Sequence, residues 1–108
     1  MITVAMLKIT TIKTDRRCRI VLEGKLVAPW VAEVDREWND ARVSTRDLPL
    51  IVDLRNVTMI SNEGEDILLS MMRAGVRFVC GGVLNRHVLQ RLARKLIGKI
   101  PSLKTRAG

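Results

Sequence analysis

Pro49-Leu50-Ile51-Val52-Asp53-Leu54-Arg55-Asn56-Val57-Thr58-Met59-Ile60-Ser61-Asn62-Glu63-Gly64 is the stretch whose reading decides the fold. A short apolar run, Leu50 to Val52, ends in an acid at Asp53, passes through a brief connection, and meets a polar helix start containing a glycine. A run that is apolar at every position is buried on both faces, which marks a central parallel strand. Junctions between such a strand and its helix are where open α/β sheets carry their functional surface. The expected helix opens with Ser61, Asn62, Glu63, Glu65 and Asp66, so acids gather where backbone N–H groups point outward.

Upstream, Leu7, Ile9 and Thr11 alternate with Lys8, Thr10 and Ile12, the pattern of a partly buried edge strand. From Arg17 to Gly24, Cys18, Ile20 and Leu22 face one way while Arg17, Arg19 and Glu23 face the other. With Asp15-Arg16 as the turn, the two segments form a hairpin. A helix follows. Pro29 suits its first turn, where the missing N–H is not needed, and Val27, Val31, Val34, Trp38 and Ala41 recur at spacings of three and four. Trp30 stands off the centre of that stripe and is a candidate partner contact, although packing at the rim of the core is the favoured reading.

Downstream, the second helix runs from Ser61 to Ala74, with Ile67, Leu68, Met71 and Met72 inward and Gly75 ending it. Val76 to Cys80 is a strand closed by Gly81-Gly82. A third helix carries Val88, Leu89, Leu92, Ala93, Leu96 and Ile97 on one side and His87, Arg91, Arg94 and Lys95 on the other, and Gly98 and Pro101 stop it. Residues 99–108 read as a frayed basic tail. The order strand, strand, helix, strand, helix, strand, helix predicts a single α/β domain over residues 1–108. Its sheet is mixed, with four to five strands, right-handed crossovers and helices mainly on one face.

Composition excludes several classes. A chain of 108 residues can bury roughly two-thirds of its unfolded surface around one core, and 47% apolar residues is far from a disordered composition. The start, Met1 to Lys8, lacks the basic region and long apolar core of a signal peptide. No apolar run reaches the ~18 residues of a membrane span, so no membrane association and a cytoplasmic location are expected. Cys18 and Cys80 lie far apart, and His87 is the one histidine, which fits neither a redox pair nor a metal site. Reduced core thiols are expected, with no metal and no cofactor. No nucleophile–base pair or Gly-rich phosphate loop is present, and the acids after Ser61 read as a helix-start cluster. The chain reads as a non-enzyme.

Charge divides the chain. Residues 1–66 hold ten Lys/Arg against eleven Asp/Glu, while residues 67–108 hold nine Lys/Arg and no acid. A basic face built from Arg86, Arg91, Arg94 and Lys95 therefore offers an alternative function, an anion-binding module for nucleic acid or an acidic surface. Aromatic content is only 3%, and Trp30 and Trp38 both sit in the acidic half, which speaks against single-stranded nucleic acid. The apolar side of the third helix is what covering a sheet requires, leaving no stripe for lipid.

Three segments resemble a known family. Leu22-Glu23-Gly24-Lys25-Leu26 is similar to a strand end with a glycine before the first helix. Leu50 to Leu54, followed by Ser61-Asn62-Glu63-Gly64, resembles a strand ending in aspartate and then an Asp-Ser-Ser-Gly helix start. Gly75 to Gly82, followed by Val88, Leu92 and Gly98, resembles the last strand and the helix behind it. In order and spacing these resemble the STAS domain, the sulfate-transporter and anti-sigma-factor-antagonist family, over roughly residues 16–98.

The resemblance implies a non-catalytic signalling domain that docks a kinase-like anti-sigma factor or related regulator through the start of its second helix. It also implies a partner-facing surface at Ser61, Asn62, Glu63 and Gly64; Asp53 at the strand end and Trp30 on the first helix are further candidate contacts, read from their own positions and not from the resemblance. In the family a serine at that helix start is phosphorylated, which changes local charge by nearly two units at the positive end of the helix dipole. This chain departs from the pattern there. By register on Gly64, Ser61 takes the aspartate position, while Asn62 and Glu63 take the two serine positions. No hydroxyl remains at either, and Glu63 places a permanent carboxylate in one. The same residues also read as plain capping, with Ser61 or Asn62 as cap and Glu65 closing a capping box from Asn62. Asp53 is read chiefly as a local acceptor for the N–H groups of the following loop. Sheet edges and the helix start leave room for a homodimer without requiring one.

Overall fold

The computed structural model describes residues 7–45 and 48–98. Strand β1 (Leu7–Lys13) pairs antiparallel with β2 (Cys18–Leu26), Leu7 opposite Gly24 and Lys13 opposite Cys18. Thr14 makes the turn between them. Its N–H donates to the Arg17 carbonyl at 2.9 Å, and its hydroxyl accepts from the N–H groups of Arg16 and Arg17. A serine-or-threonine turn of this kind replaces the missing ladder bonds with local ones.

Helix α1 (Trp30–Ser44) crosses to β3 (Leu50–Ile60), which lies parallel to β2, and α2 (Asn62–Arg73) crosses to β4 (Arg77–Val79), parallel to β3. Helix α3 (Val83–Gly98) completes the described chain. Among the described residues the sheet has four strands in the order β1-β2-β3-β4, and α2 packs between α1 and α3 as one layer. This is the mixed α/β architecture expected from the sequence.

Alternation on β2 builds the core. Cys18, Ile20 and Leu22 are buried toward the helix layer, while Arg19, Val21 and Glu23 stand half-exposed on the opposite face. Val34, Trp38 and Ala41 of α1 close over these positions, with Ile67, Leu68 and Met71 of α2 and Val88 and Leu92 of α3. Leu69, which the sequence reading did not name among the inward residues, is also buried, whereas Met72 is half-buried. The inward assignment of Ile97, the stop at Pro101 and the basic tail lie outside the described side chains and residues.

Several boundaries differ from expectation, and each has a local cause. No loop follows Asp53, because β3 continues to Ile60 and runs straight into α2. Its register against β2 slips twice, between Val21 and Glu23 and between Gly24 and Lys25, so β3 carries an extra residue at each place. Such bulges break the two-residue period that would otherwise announce a strand. Gly24, expected at a strand end, sits inside β2 with φ 112° beside the second slip, a conformation that glycine takes without steric cost. Pro29 stands just before the first turn of α1, with Trp30 as the first helical residue.

Candidate functional site

Ser61 is the hinge between β3 and α2. Its hydroxyl accepts the Gly64 N–H at 3.2 Å and lies 3.4 Å from the Leu26 carbonyl, and its own N–H donates to that same carbonyl at 3.0 Å. The Ser61 carbonyl accepts the Glu65 N–H at 2.8 Å, the first bond of the helix. The start of α2 is thereby tied to the end of β2 through one serine. The expected capping box is not formed: the cap is Ser61, and the Glu65 carboxylate turns away to pair with Arg91 of α3.

Asn62 and Glu63, the next two residues, are exposed on the first turn. Gly64 is buried, because α2 lies so close to β2 that a Cβ there would stand 2.6 Å from the Leu26 carbonyl oxygen. The four residues expected at the helix start thus divide by role. Ser61 and Gly64 hold the helix, and Asn62 and Glu63 face solvent. Thr58 points its hydroxyl to the Gly24 carbonyl at 3.3 Å.

Trp30 lies at the same end of the sheet, since α1 and α2 both leave the carboxyl ends of parallel strands. It is half-buried and packed against the core, in accord with the rim reading. Asp53 does not join this group. It occupies the middle of β3, roughly 25 Å along the strand from Ser61, opposite Val21 and Val79 on the face away from the helices. There it is 4% exposed beneath two arginines. Its Oδ1 accepts the Arg55 N–H at 3.0 Å, its Oδ2 accepts from Arg55 Nη2 at 2.7 Å, and Arg19 Nη2 lies 3.3 Å away. The hydrogen bond from the Arg55 side chain, against the opposing effect of burial, holds the carboxyl below its ordinary range, and Arg19 adds to this. Asp53 is a local acceptor, as read from the sequence, but its partners lie within a strand and not in a loop.

On α3, His87, Arg91, Arg94 and Lys95 share one exposed row, while Arg86 falls roughly a quarter turn away by helical geometry. Arg91 is committed to Glu65. The sequence reading missed Asn85, which is buried and donates from Nδ2 to the Leu54 carbonyl at 2.9 Å and the Val57 carbonyl at 2.8 Å. It satisfies the edge of β3 that short β4 does not reach. Its position three before Val88 and seven before Leu92, on the apolar stripe, was the available signal.

Cys18 is buried, and burial pushes its thiol up from the ordinary value, while Cys80 is half-buried just beyond β4; both are free. Among the described residues no cluster of three or more His, Cys, Asp or Glu could hold a metal ion, and no helix is long and apolar enough to cross a membrane.

No protein-family model matches the sequence, and no match was found among curated proteins. Among solved structures, the chain is similar to an antisigma-factor antagonist, a STAS domain from Rhodobacter sphaeroides. The TM-score is 0.48 and the identity 18%, with 72% of this chain and 88% of that chain covered.

Proposed function

We propose that this chain is a non-catalytic protein-docking domain of the anti-sigma-factor-antagonist kind, which presents the first turn of α2 to a regulatory protein partner. The observation that carries this reading is the division of labour at that turn. Ser61 and Gly64 fix the helix from below, leaving Asn62 and Glu63 free and exposed at its positive end. Rigid presentation of a few exposed side chains suits recognition. The resemblance to the STAS strand end at Leu50 to Leu54, with Gly64 kept at the helix start, supports the same surface even though Ser61, Asn62 and Glu63 depart from the family's residues.

Phosphorylation does not switch this domain at that turn. The Ser61 hydroxyl is occupied in capping, and Glu63 holds a constant negative charge where the family's pattern has a serine. A carboxylate supplies about one charge and a phosphate nearly two, so the domain is held in one partner-binding state.

A photo-crosslinking amino acid placed in turn at Asn62, Glu63 and Arg94, in cells of the source organism, tests the proposal. Crosslinks from positions 62 and 63 to one regulatory protein, with none from 94, are expected. Phosphate-free Ser61 and Thr58 are expected by mass spectrometry of the same material. Crosslinks from 94 alone, to nucleic acid, would transfer the function to the basic row of α3. Stoichiometric phosphate on Ser61 would end the unswitched reading.

A further inference from the structure

Helices α1 and α2 are neighbours, yet small residues stand at their seam. Ala32 of α1, with Ser70 and Ala74 of α2, leaves an open groove that no described element fills. Its upper half, about 430 Å³, has an apolar floor that includes Val31 and Ile67. Its lower half, about 420 Å³, reaches Trp38. Asp35 and Ser70 line both halves, so the two are continuous. From Pro29 to Arg42 the groove follows α1 for roughly 20 Å at 1.5 Å per residue.

The groove is electrically polarised, for a reason that begins in each helix alone. A helix favours acids at its start and bases at its end, because its dipole points that way. Helix α2 obeys with Glu63 and Glu65 in the first turn and Arg73 in the last, and α1 with Glu33 and Arg42. Both helices leave parallel strands in the same direction, so their charges align side by side. Glu63 and Asp66 therefore mark the upper half and Arg42 and Arg73 the lower, with Asp35 at the join between them. Asp35 is held in place by Asn39, whose Nδ2 lies 3.0 Å from its Oδ1, and the Arg42 guanidinium lies 4.7 Å from the centre of the Trp38 ring.

We propose that the seam between α1 and α2 receives one amphipathic helix of a protein partner, with its basic end over Glu63 and Asp66, its acidic end over Arg42 and Arg73, and Asp35 beneath its middle. A helix is chosen over an extended segment because it satisfies its own backbone groups above an apolar floor, and a third helix laid between two others is ordinary ridge-and-groove packing. The groove is open along its length and does not enclose a small molecule. Its three carboxylates would repel an anionic membrane surface. Since bases cluster at helix C-termini, the docked helix runs antiparallel to α1 and α2. The inference rests on the protein-binding reading and names the chemistry of the partner.

Three stapled 14-residue peptides of identical composition test it against the full chain, with Trp fluorescence as the readout. The first carries an apolar stripe, acids at its N-terminus and bases at its C-terminus. The second has the charges exchanged end for end, and the third has the stripe scrambled. The first is expected to bind roughly tenfold or more tightly than the second, with the third not binding. Ser70→Trp, which fills the groove at an exposed site, should abolish binding, and Asp66→Lys with Arg73→Glu should reverse the preference between the first two. Circular dichroism of each variant confirms folding. No binding by the first peptide, equal binding of the first two, or indifference to Ser70→Trp overturns the proposal. Asn62→Arg separates the two readings, because Asn62 does not line the groove. Peptide binding should survive that change, whereas crosslinking of a partner docked on the α2 start should not.

Discussion

Gly64 sits so close to the end of β2 that a Cβ would lie 2.6 Å from the Leu26 carbonyl oxygen, the same oxygen that accepts the Ser61 N–H at 3.0 Å. The helix start is therefore placed by backbone against backbone, and neither side can give way by rotating a side chain. Gly64→Ala should lower stability by about 1–3 kcal/mol through overpacking, read from the urea midpoint. The sign is diagnostic. An alanine in an unconstrained helix would raise stability by up to about 1 kcal/mol over glycine.

Asn85 carries a comparable duty at the other side of β3. Its amide serves the buried carbonyls of Leu54 and Val57, while its own Oδ1 is buried with no partner. Asn85→Leu removes both bonds and leaves two carbonyls unsatisfied, so a loss of about 1–3 kcal/mol is expected. Asn85→Asp should cost more, since a carboxylate would face two carbonyl oxygens. Equilibrium urea unfolding of the two variants beside the wild type measures the difference.

Acid should expose the cluster around Asp53. Its carboxyl is held below the ordinary value of about 3.9 by the hydrogen bond from the Arg55 side chain, with help from the Arg55 N–H and Arg19. A folded value below the unfolded one contributes stability that is present above the ordinary value and is lost as pH falls through the folded one. Wild-type stability should therefore decline below about pH 4, and Asp53→Asn should show a shallower decline over that window. Urea midpoints at a series of pH values give both curves.

These residues also show what was legible in the sequence. Periodicity found the described helices and the hairpin strands, because burying one face of each is a main constraint on this fold, and the continuous apolar run at Leu50 to Val52 found the start of β3. Cys18, Ile20 and Leu22 alternate cleanly, and the hairpin follows from them. The second half of β3 was not legible, since two bulges put Arg55 and Asn56, then Thr58 and Met59, in consecutive exposed positions and erase the period. The length of β3 in turn separates Asp53 from the helix start, which linear adjacency to an apolar run had joined. Ser61 and Gly64 were legible as a helix start. Their ties to Leu26 were not, because they depend on how closely α2 approaches β2, which is a property of packing.

Arg91 and Glu65 decide how much of the basic row on α3 is available to an anion. The pair links α2 and α3 on the surface, with side chains 52% and 17% exposed, and exposed pairs of this kind contribute about 0–1 kcal/mol. Arg91→Ala should therefore change stability little. The direct contacts of Arg91 to an anion should be few, because its guanidinium is already held by a carboxylate. Arg94 and Lys95 are exposed on the same row and bring their charge to solvent. On a heparin column, Arg94→Ala should lower the eluting salt more than Arg91→Ala, and Glu65→Gln should raise it by freeing Arg91. The reverse order would mean that the Glu65–Arg91 pair opens in solution and that α3 offers its whole basic row.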